Sequence, residues 1–257
     1  MGRDILGTLV FIPTYNEREN VVPLLDAILA QELGCDVLFM DDASPDGTGD
    51  VLDKLALEHP CVTVVHRTGK EGVGAAHQAG IRWAYEHGYR RLITMDADFA
   101  HPPQYLPALL AAAESGADGG ADVVVGSRYL RAGSLGDWSL RRRVATVVGH
   151  ALTRTLLGTP YDATGAFRLY HLTRLPLAAF GLVRSRDYSF FFESLFIIHS
   201  NGFTVSQIPI HVSGRTFGTS KMQIRHVVGS VRMLLSLFVA RLVNRRRIML
   251  GARGDAR

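Results

Sequence analysis

The sequence predicts an α/β protein with a mostly parallel central sheet flanked by helices, and three observations predict it. Short apolar runs alternate with stretches whose apolar residues recur at helical spacing. Their order, strand then helix then strand, is that of successive βαβ units, whose strands lie parallel. Each apolar run also ends by releasing polar residues, as strands do when their carboxyl ends carry a ligand site. At 257 residues the chain is long enough for one large domain, or for one domain and a small appendage. Internal repeats and low-complexity linkers are absent from it.

The elements follow in order. Thr8 to Ile12 is an apolar strand stopped by Pro13, and Val21 to Leu33 carries Val21, Leu24, Leu25, Ile28 and Leu29 at helical spacing. Val37 to Met40 is a buried strand ending in Asp41-Asp42. Val51 to Leu57 reads as helix, Val62 to Val65 as a third strand, and Ala75 to Tyr85 as helix. The next strand, Leu92 to Met95, runs into Asp96-Ala97-Asp98, after which Pro102 and Pro103 open a helix reaching Ala113. A strand Val123 to Val125 follows. Arg141-Arg142-Arg143 then opens a helix with Val144, Val147, Val148, Ala151, Leu152 and Thr155 on one face. Ser189 to His199 is helical, and Met222 to Arg247 reads as a single helix.

Composition narrows the class. The formal net charge is +4, with the positive residues gathered after Arg128. Basic strands interleaved with aromatics are absent, which argues against a nucleic-acid binder. Cys35 and Cys61 show neither metal-ligand spacing nor a disulfide framework, as expected in a reducing cytosol. The N-terminus lacks the features of a signal peptide. No uninterrupted apolar stretch approaches about 18 residues, so a spanning helix is not expected.

Chemistry concentrates at the strand ends. Asp96 and Asp98, two residues apart, can face one object, and their mutual repulsion is relieved by a cation or a donor-rich ligand; a solvated acidic turn is the competing reading. Tyr15 and Glu17 offer an aromatic face and a carboxylate suited to a nucleobase and its ring N–H donors; an ordinary loop is the competing reading. Asp46-Gly47-Thr48 reads as a turn and helix cap. The stretch Gly69-Lys70-Glu71-Gly72-Val73-Gly74 matches neither G-x-x-x-x-G-K-[ST] nor G-x-G-x-x-G, and reads as a flexible loop beside a ligand. Three arginines at a helix start either form a solvated helix start or, because they oppose the helix dipole, meet an anionic partner. Glu193 either orients a cation or caps a buried polar cluster, and Asp162 with Arg168 reads as a paired structural element.

Together these motifs carry a resemblance. Pro13-Thr14-Tyr15-Asn16-Glu17, Asp41-Asp42-Ala43-Ser44-Pro45-Asp46-Gly47-Thr48, Asp96-Ala97-Asp98 and Gly126-Ser127-Arg128-Tyr129 look like family 2 glycosyltransferases. More narrowly they resemble the polyprenyl-phosphate (dolichyl-phosphate) mannose synthases. The similarity continues through Asp162-Ala163-Thr164-Gly165-Ala166-Phe167-Arg168 and Gly214-Arg215-Thr216-Phe217-Gly218-Thr219-Ser220-Lys221, covering residues 8 to 240. It implies a GT-A fold that transfers mannose from GDP-mannose to a polyprenyl or dolichyl phosphate, with inversion at the sugar carbon.

Carried over by position, Pro13, Tyr15, Glu17 and Asp42 line the nucleoside pocket. Asp96 and Asp98 face the diphosphate and a divalent metal, Mg²⁺ or Mn²⁺, with Ala97 between them. Ala100 stands where the family often has a metal-ligating glutamine, so a water, or His101 after rearrangement, has to complete the shell. Arg128 and Arg142 grip the acceptor phosphate, beside Thr146 where a serine is usual. Arg215 and Lys221 reach the donor diphosphate. The resemblance divides the chain into a catalytic domain, residues 1–221, and a C-terminal helix with a basic tail, residues 222–257.

That last helix carries a broad stripe of Ile224, Val227, Val228, Val231, Leu234, Leu235, Phe238 and Leu242, and ends in Arg245-Arg246-Arg247. It either packs on the catalytic core or lies in the plane of an anionic membrane. A lipid acceptor favours the membrane, and with it a peripheral location on the cytoplasmic face. Some relatives of this kind carry spanning helices after this point and others borrow an anchoring protein partner. Two other functions stay open: a lipid-phosphate transferase using another donor, such as UDP-glucose, and a non-catalytic nucleotide or nucleic-acid binder.

Overall fold

The structure, a computed structural model, describes residues 6–115, 120–131, 133–135, 140–212 and 224–251, with the side chains of residues 6, 141, 142, 224 and 225 left undescribed. Arg215 and Lys221 therefore lie outside the described residues, as does the Arg142 side chain. Among the described residues the strands are β1 (Leu6–Thr14), β2 (Asp36–Asp41), β3 (Val62–His66), β4 (Tyr89–Thr94), β5 (Val123–Ser127), β6 (Arg168–His171) and β7 (Val205–Pro209). They form one seven-stranded sheet in the order β3-β2-β1-β4-β6-β5-β7. The helices are α1 (Val21–Leu29), α2 (Thr48–Glu58), α3 (Val73–Glu86), α4 (Leu106–Glu114), α5 (Leu140–Leu152), α6 (Leu177–Gly181), α7 (Ser189–Ser200) and α8 (Ile224–Val243).

Strand alternation sorts the core into two layers. On β1, Leu9 and Phe11 face one layer while Val10 and Ile12 face the other; β2 repeats this with Leu38 and Met40 against Val37 and Phe39. Residues of α1, α2 and α4 cover one face, and residues of α3, α6, α7 and α8 cover the other. A sheet buried on both faces needs continuous apolar strands, which explains why these runs lack a polar side.

All pairings are parallel except those of β6, which runs antiparallel to both β4 and β5. Arg168 sits in register with Thr94 on β4 and with Val125 on β5. The start of β6 thus lies beside the ends of its neighbours, and residues 162–167 arrive at the sheet edge that carries Asp96 and Arg128. The pattern reading did not foresee β6, β7 or α6. The expected helix to Leu33 stops at Leu29, and Glu32 and Gly34 then turn the chain with positive φ, 52° and 57°. The expected helix to Arg247 ends at Val243, with Arg245–Arg247 forming a separate 3₁₀ turn.

Helix α8 resolves the two readings of its stripe by splitting it. Leu234, Leu237 and Ala240 belong to the core, so Leu234 is an inner residue and not an outward one. Val227, Val228, Val231, Leu235, Val239 and Leu242 are exposed. By length and composition His226–Val243 could also cross a membrane, which the search for uninterrupted apolar runs did not anticipate. The same holds on a smaller scale for α5, where Val144, Val147, Val148 and Leu152 are all exposed. A π-turn, Thr153–Leu157, continues α5 and meets α8, with Arg241 Nη1 donating to the Leu156 carbonyl at 2.9 Å.

One buried titratable group should make the fold sensitive to acid. His77 on α3 is enclosed by Phe11, Phe190 and Phe191, donates from Nδ1 to the Val73 carbonyl at 2.9 Å, and has no partner at Nε2 among the described residues. Burial pushes its pKa down to about 4. The folded value lies below the unfolded one of about 6.5, so the neutral ring's contribution is complete above that pH and is lost as pH falls toward 4. Roughly 3 kcal/mol is at stake over that window. Melting temperature measured from pH 7.5 to 4.5 should fall more steeply for the wild type than for His77→Leu; parallel curves would reject His77 as the cause.

Candidate active site

Three loops at the carboxyl edge of the parallel strands enclose a cleft of about 560 Å³. The loop after β1 contributes Pro13, Thr14, Tyr15 and Glu17, that after β2 contributes Asp42, and that after β4 contributes Asp96, Ala97 and Asp98. Each of these loops contains a non-glycine residue with positive φ: Asn16 at 55°, Ala43 at 54° and Phe99 at 60°. Such conformations cost energy, and strained backbone of this kind clusters at functional sites.

The carboxylates of the second loop have separate duties. Asp41 is consumed by the turn, accepting from the Thr14 hydroxyl at 2.9 Å and from the Ser44 N–H at 2.9 Å. Asp46 accepts the Thr48 N–H at 3.0 Å and its hydroxyl at 2.6 Å, as the turn reading expects. Asp42 alone reaches the cleft, where Arg67 Nη1 donates to its Oδ1 at 2.5 Å. Burial raises its pKa and the Arg67 charge pulls the other way. Arg67 also contacts Glu71 at 3.1 Å, and Glu71 pairs with Arg186, tying the glycine-containing loop to the segment before α7.

That loop borders the cleft through Lys70, Glu71, Gly72 and Val73, and Lys70 Nζ lies 3.9 Å from the centre of the Tyr15 ring. Asp187, Tyr188 and His226, which the sequence reading missed, also line the cleft. Glycine is required where the two sides meet: a Cβ on Gly72 would come within 2.4 Å of the Arg186 carbonyl oxygen, and Gly72 has φ +107°. Glu193, 1% exposed, accepts the Ser185 N–H at 2.8 Å.

Asp96 and Asp98 lie in the loop beyond Thr94, where β4 ends, yet both line the cleft. The Asp96 side chain is 38% exposed, while Asp98 is buried and accepts the Ala100 N–H at 3.1 Å. His101 Nδ1 accepts the Asp96 N–H at 3.0 Å, and its ring stacks on Phe167. Among the described residues no group of three His, Cys, Asp or Glu could hold a metal ion. Two carboxylates nevertheless fit a hard divalent cation that keeps waters and takes its remaining ligands from phosphate oxygens.

Arg128 follows β5 and does not line the cleft, but its field reaches Asp96. Its Nε donates to Asp162 Oδ2 at 2.8 Å and its Nη2 to Asp162 Oδ1 at 2.6 Å. Asp162 therefore pairs with Arg128, and not with Arg168 as expected. Arg168, fully buried, donates instead to the Ala163 carbonyl at 2.8 Å and the Ser194 hydroxyl at 3.2 Å. Burial alone would raise Asp162 and lower Arg128; the opposite charges prevail and hold both ionised. Tyr129 stacks on His150 with ring centres 3.8 Å apart and donates to the Thr146 carbonyl at 3.0 Å, fastening α5 to the exit of β5. Thr146 is half-buried on α5 and lies off the cleft.

Comparison with known proteins identifies what this arrangement is similar to. A family profile described as Glycosyl transferase family 2 matches residues 9–175. The chain is 41% identical over 217 residues to a polyprenol monophosphomannose synthase of Mycolicibacterium smegmatis, covering 84% of this chain and 80% of that one. It is 39% identical over 218 residues to an undecaprenyl-phosphate mannosyltransferase of Micrococcus luteus, covering 84% and 88%. Among solved structures, mannosyl-3-phosphoglycerate synthase from Rubrobacter xylanophilus superposes with a TM-score of 0.64 at 16% identity, covering 98% of this chain and 78% of that one. Glucosyl-3-phosphoglycerate synthase from Mycobacterium tuberculosis, in complex with Mn²⁺ and UDP, gives 0.61 at 18% identity, covering 92% and 80%. At such identities the likeness is one of fold.

Proposed function

The chain belongs to glycosyl transferase family 2, and from that premise we propose that it transfers mannose from GDP-mannose to a polyprenyl monophosphate, of dolichyl or related type, with inversion. The observation that carries the reading is one cleft joining Asp42 and Tyr15 to Asp96 and Asp98, in a chain 41% identical to a polyprenol monophosphomannose synthase. Tyr15, Glu17 and Asp42 would receive the nucleoside, and Asp96 and Asp98 the diphosphate end.

The acceptor is largely dianionic near neutral pH, its second pKa being about 6, so it attacks without a strong general base. One of its oxygens bonds to the mannose anomeric carbon from the face opposite the leaving group, the bond from that carbon to GDP breaks, and GDP departs with the electron pair. The protein has to orient the acceptor and neutralise charge. Asp96 and Asp98 would hold a divalent cation, Mg²⁺ or Mn²⁺, which when bound stabilises the charge on the departing diphosphate. Arg128, Arg142 and Thr146 would hold the acceptor phosphate, and Arg215 with Lys221 the donor diphosphate.

The same reading assigns residues 1–221 to catalysis and residues 222–257 to a membrane-surface element, with α8 serving both through its two faces. It sets the protein peripherally on the cytoplasmic face of an anionic membrane, with or without an anchoring protein partner. The lipid acceptor and the exposed apolar rows of α5 and α8 support this.

Incubation with labelled GDP-mannose or UDP-glucose and a panel of polyprenyl phosphates tests the proposal. Mannolipid formed from GDP-mannose is expected; product from UDP-glucose alone would replace the donor, and no lipid product would reject the reaction. Arg142→Ala should raise the apparent requirement for lipid phosphate about tenfold or more, the scale of a lost charge-assisted hydrogen bond. The requirement for GDP-mannose should change far less. Equal changes in both would move the acceptor phosphate away from Arg142.

A further inference from the structure

We propose that Asp162 is a positioning residue: it docks along one edge of the Arg128 guanidinium and leaves only Nη1 to receive an acceptor phosphate. The proposal rests on Arg128 contacting that phosphate, as read above. Arginine carries five N–H donors in a fixed plane. Here Nε and one N–H of Nη2 go to the two Asp162 oxygens, and the other N–H of Nη2 goes to the Thr164 hydroxyl at 2.6 Å. The two N–H groups of Nη1 have no partner among the described residues, and the Arg128 side chain keeps 12% of its surface exposed while Asp162 has none.

Asp162 is itself immobilised. Its N–H donates to Gln207 Oε1 on β7 at 2.9 Å, and its Oδ2 also accepts the Arg128 backbone N–H at 3.1 Å. The antiparallel course of β6 delivers this carboxylate to the end of β5. A carboxylate matched edge to edge with a guanidinium admits one orientation, so the free edge points one way. A lysine could not be aimed in this manner, because an ammonium rotates about its stem.

Calorimetric titration with a short, water-soluble prenyl phosphate and, separately, with GDP distinguishes positioning from mere structural pairing. Asp162→Asn should weaken prenyl-phosphate binding about ten- to a hundredfold while leaving GDP binding close to wild type. Asp162→Glu, which keeps the charge and displaces it by one methylene, should fall between and guards against a variant that does not fold. Added guanidinium ion should restore prenyl-phosphate binding to Arg128→Ala, and should fail to do so in Arg128→Ala/Asp162→Asn. Equal losses for GDP and prenyl phosphate in folded variants, or rescue of both arginine variants alike, would overturn the proposal. A wild type that binds prenyl phosphate but transfers no mannose would overturn the proposed reaction and leave this arrangement standing.

Discussion

Asp98→Asn should lower turnover by about a thousandfold while the protein stays folded, the scale seen when one preorganised contact to a developing anion is removed. The substitution is isosteric and removes one charge. Asp98 lines the cleft, is buried, and accepts the Ala100 N–H at 3.1 Å, a bond that an asparagine oxygen can still accept. The loop should therefore hold its shape and the melting temperature should move little. Raising Mg²⁺ or Mn²⁺ should not restore the rate, because the missing element is the carboxylate charge. Near-native turnover at saturating cation would remove Asp98 from the reaction. Asp46→Asn is a useful contrast: its carboxylate accepts from the Thr48 N–H and hydroxyl at the start of α2, so its effect should appear in stability and not in the rate.

Much of this fold was legible because strands and helices of the first half are buried on the faces that their periodicity dictates. Val10 and Ile12 against Leu9 and Phe11 is an alternation that any two-sided sheet must show. The carboxyl-edge loops followed from the same order, since the polar residues after β1, β2 and β4 come straight after apolar runs. What stayed hidden depends on contacts distant in sequence. Strand β6 has only four residues and buries an arginine, so neither hydropathy nor length marks it. Arg168 lies six positions from Asp162, yet the carboxylate pairs with Arg128, 34 residues back, because β6 turns antiparallel between β4 and β5. Asp187 and Tyr188 reach the cleft from a loop ahead of α7, and only the close approach of Gly72 and Gly74 to that loop explains their placement.

The stripe on α8 illustrates the same limit, since a helix can be apolar on two faces for two reasons. Leu234 and Leu237 are 6% and 0% exposed, whereas Leu235, Val239 and Leu242 are 52%, 56% and 65% exposed. Burying the first pair stabilises the domain; the second set keeps half or more of its surface exposed, which leaves it available to lipid. Replacing Leu235, Val239 and Leu242 together by serine should release the protein from anionic vesicles. These side chains are already part-covered, so the loss should be about 3 kcal/mol in total, roughly a hundredfold in partitioning. The melting temperature should hold, and so should turnover on a short water-soluble prenyl phosphate. Leu237→Ser should do the opposite, lowering stability by about 2–5 kcal/mol as core truncations do. Arg245 and Arg246, both exposed, should add a salt-sensitive share of binding at about 1 kcal/mol each, so the wild type should release partly as salt rises and the serine variant completely. Vesicle sedimentation and melting curves on the same preparations decide it: a well-folded triple variant that stays bound would mean that this face of α8 does not meet the membrane.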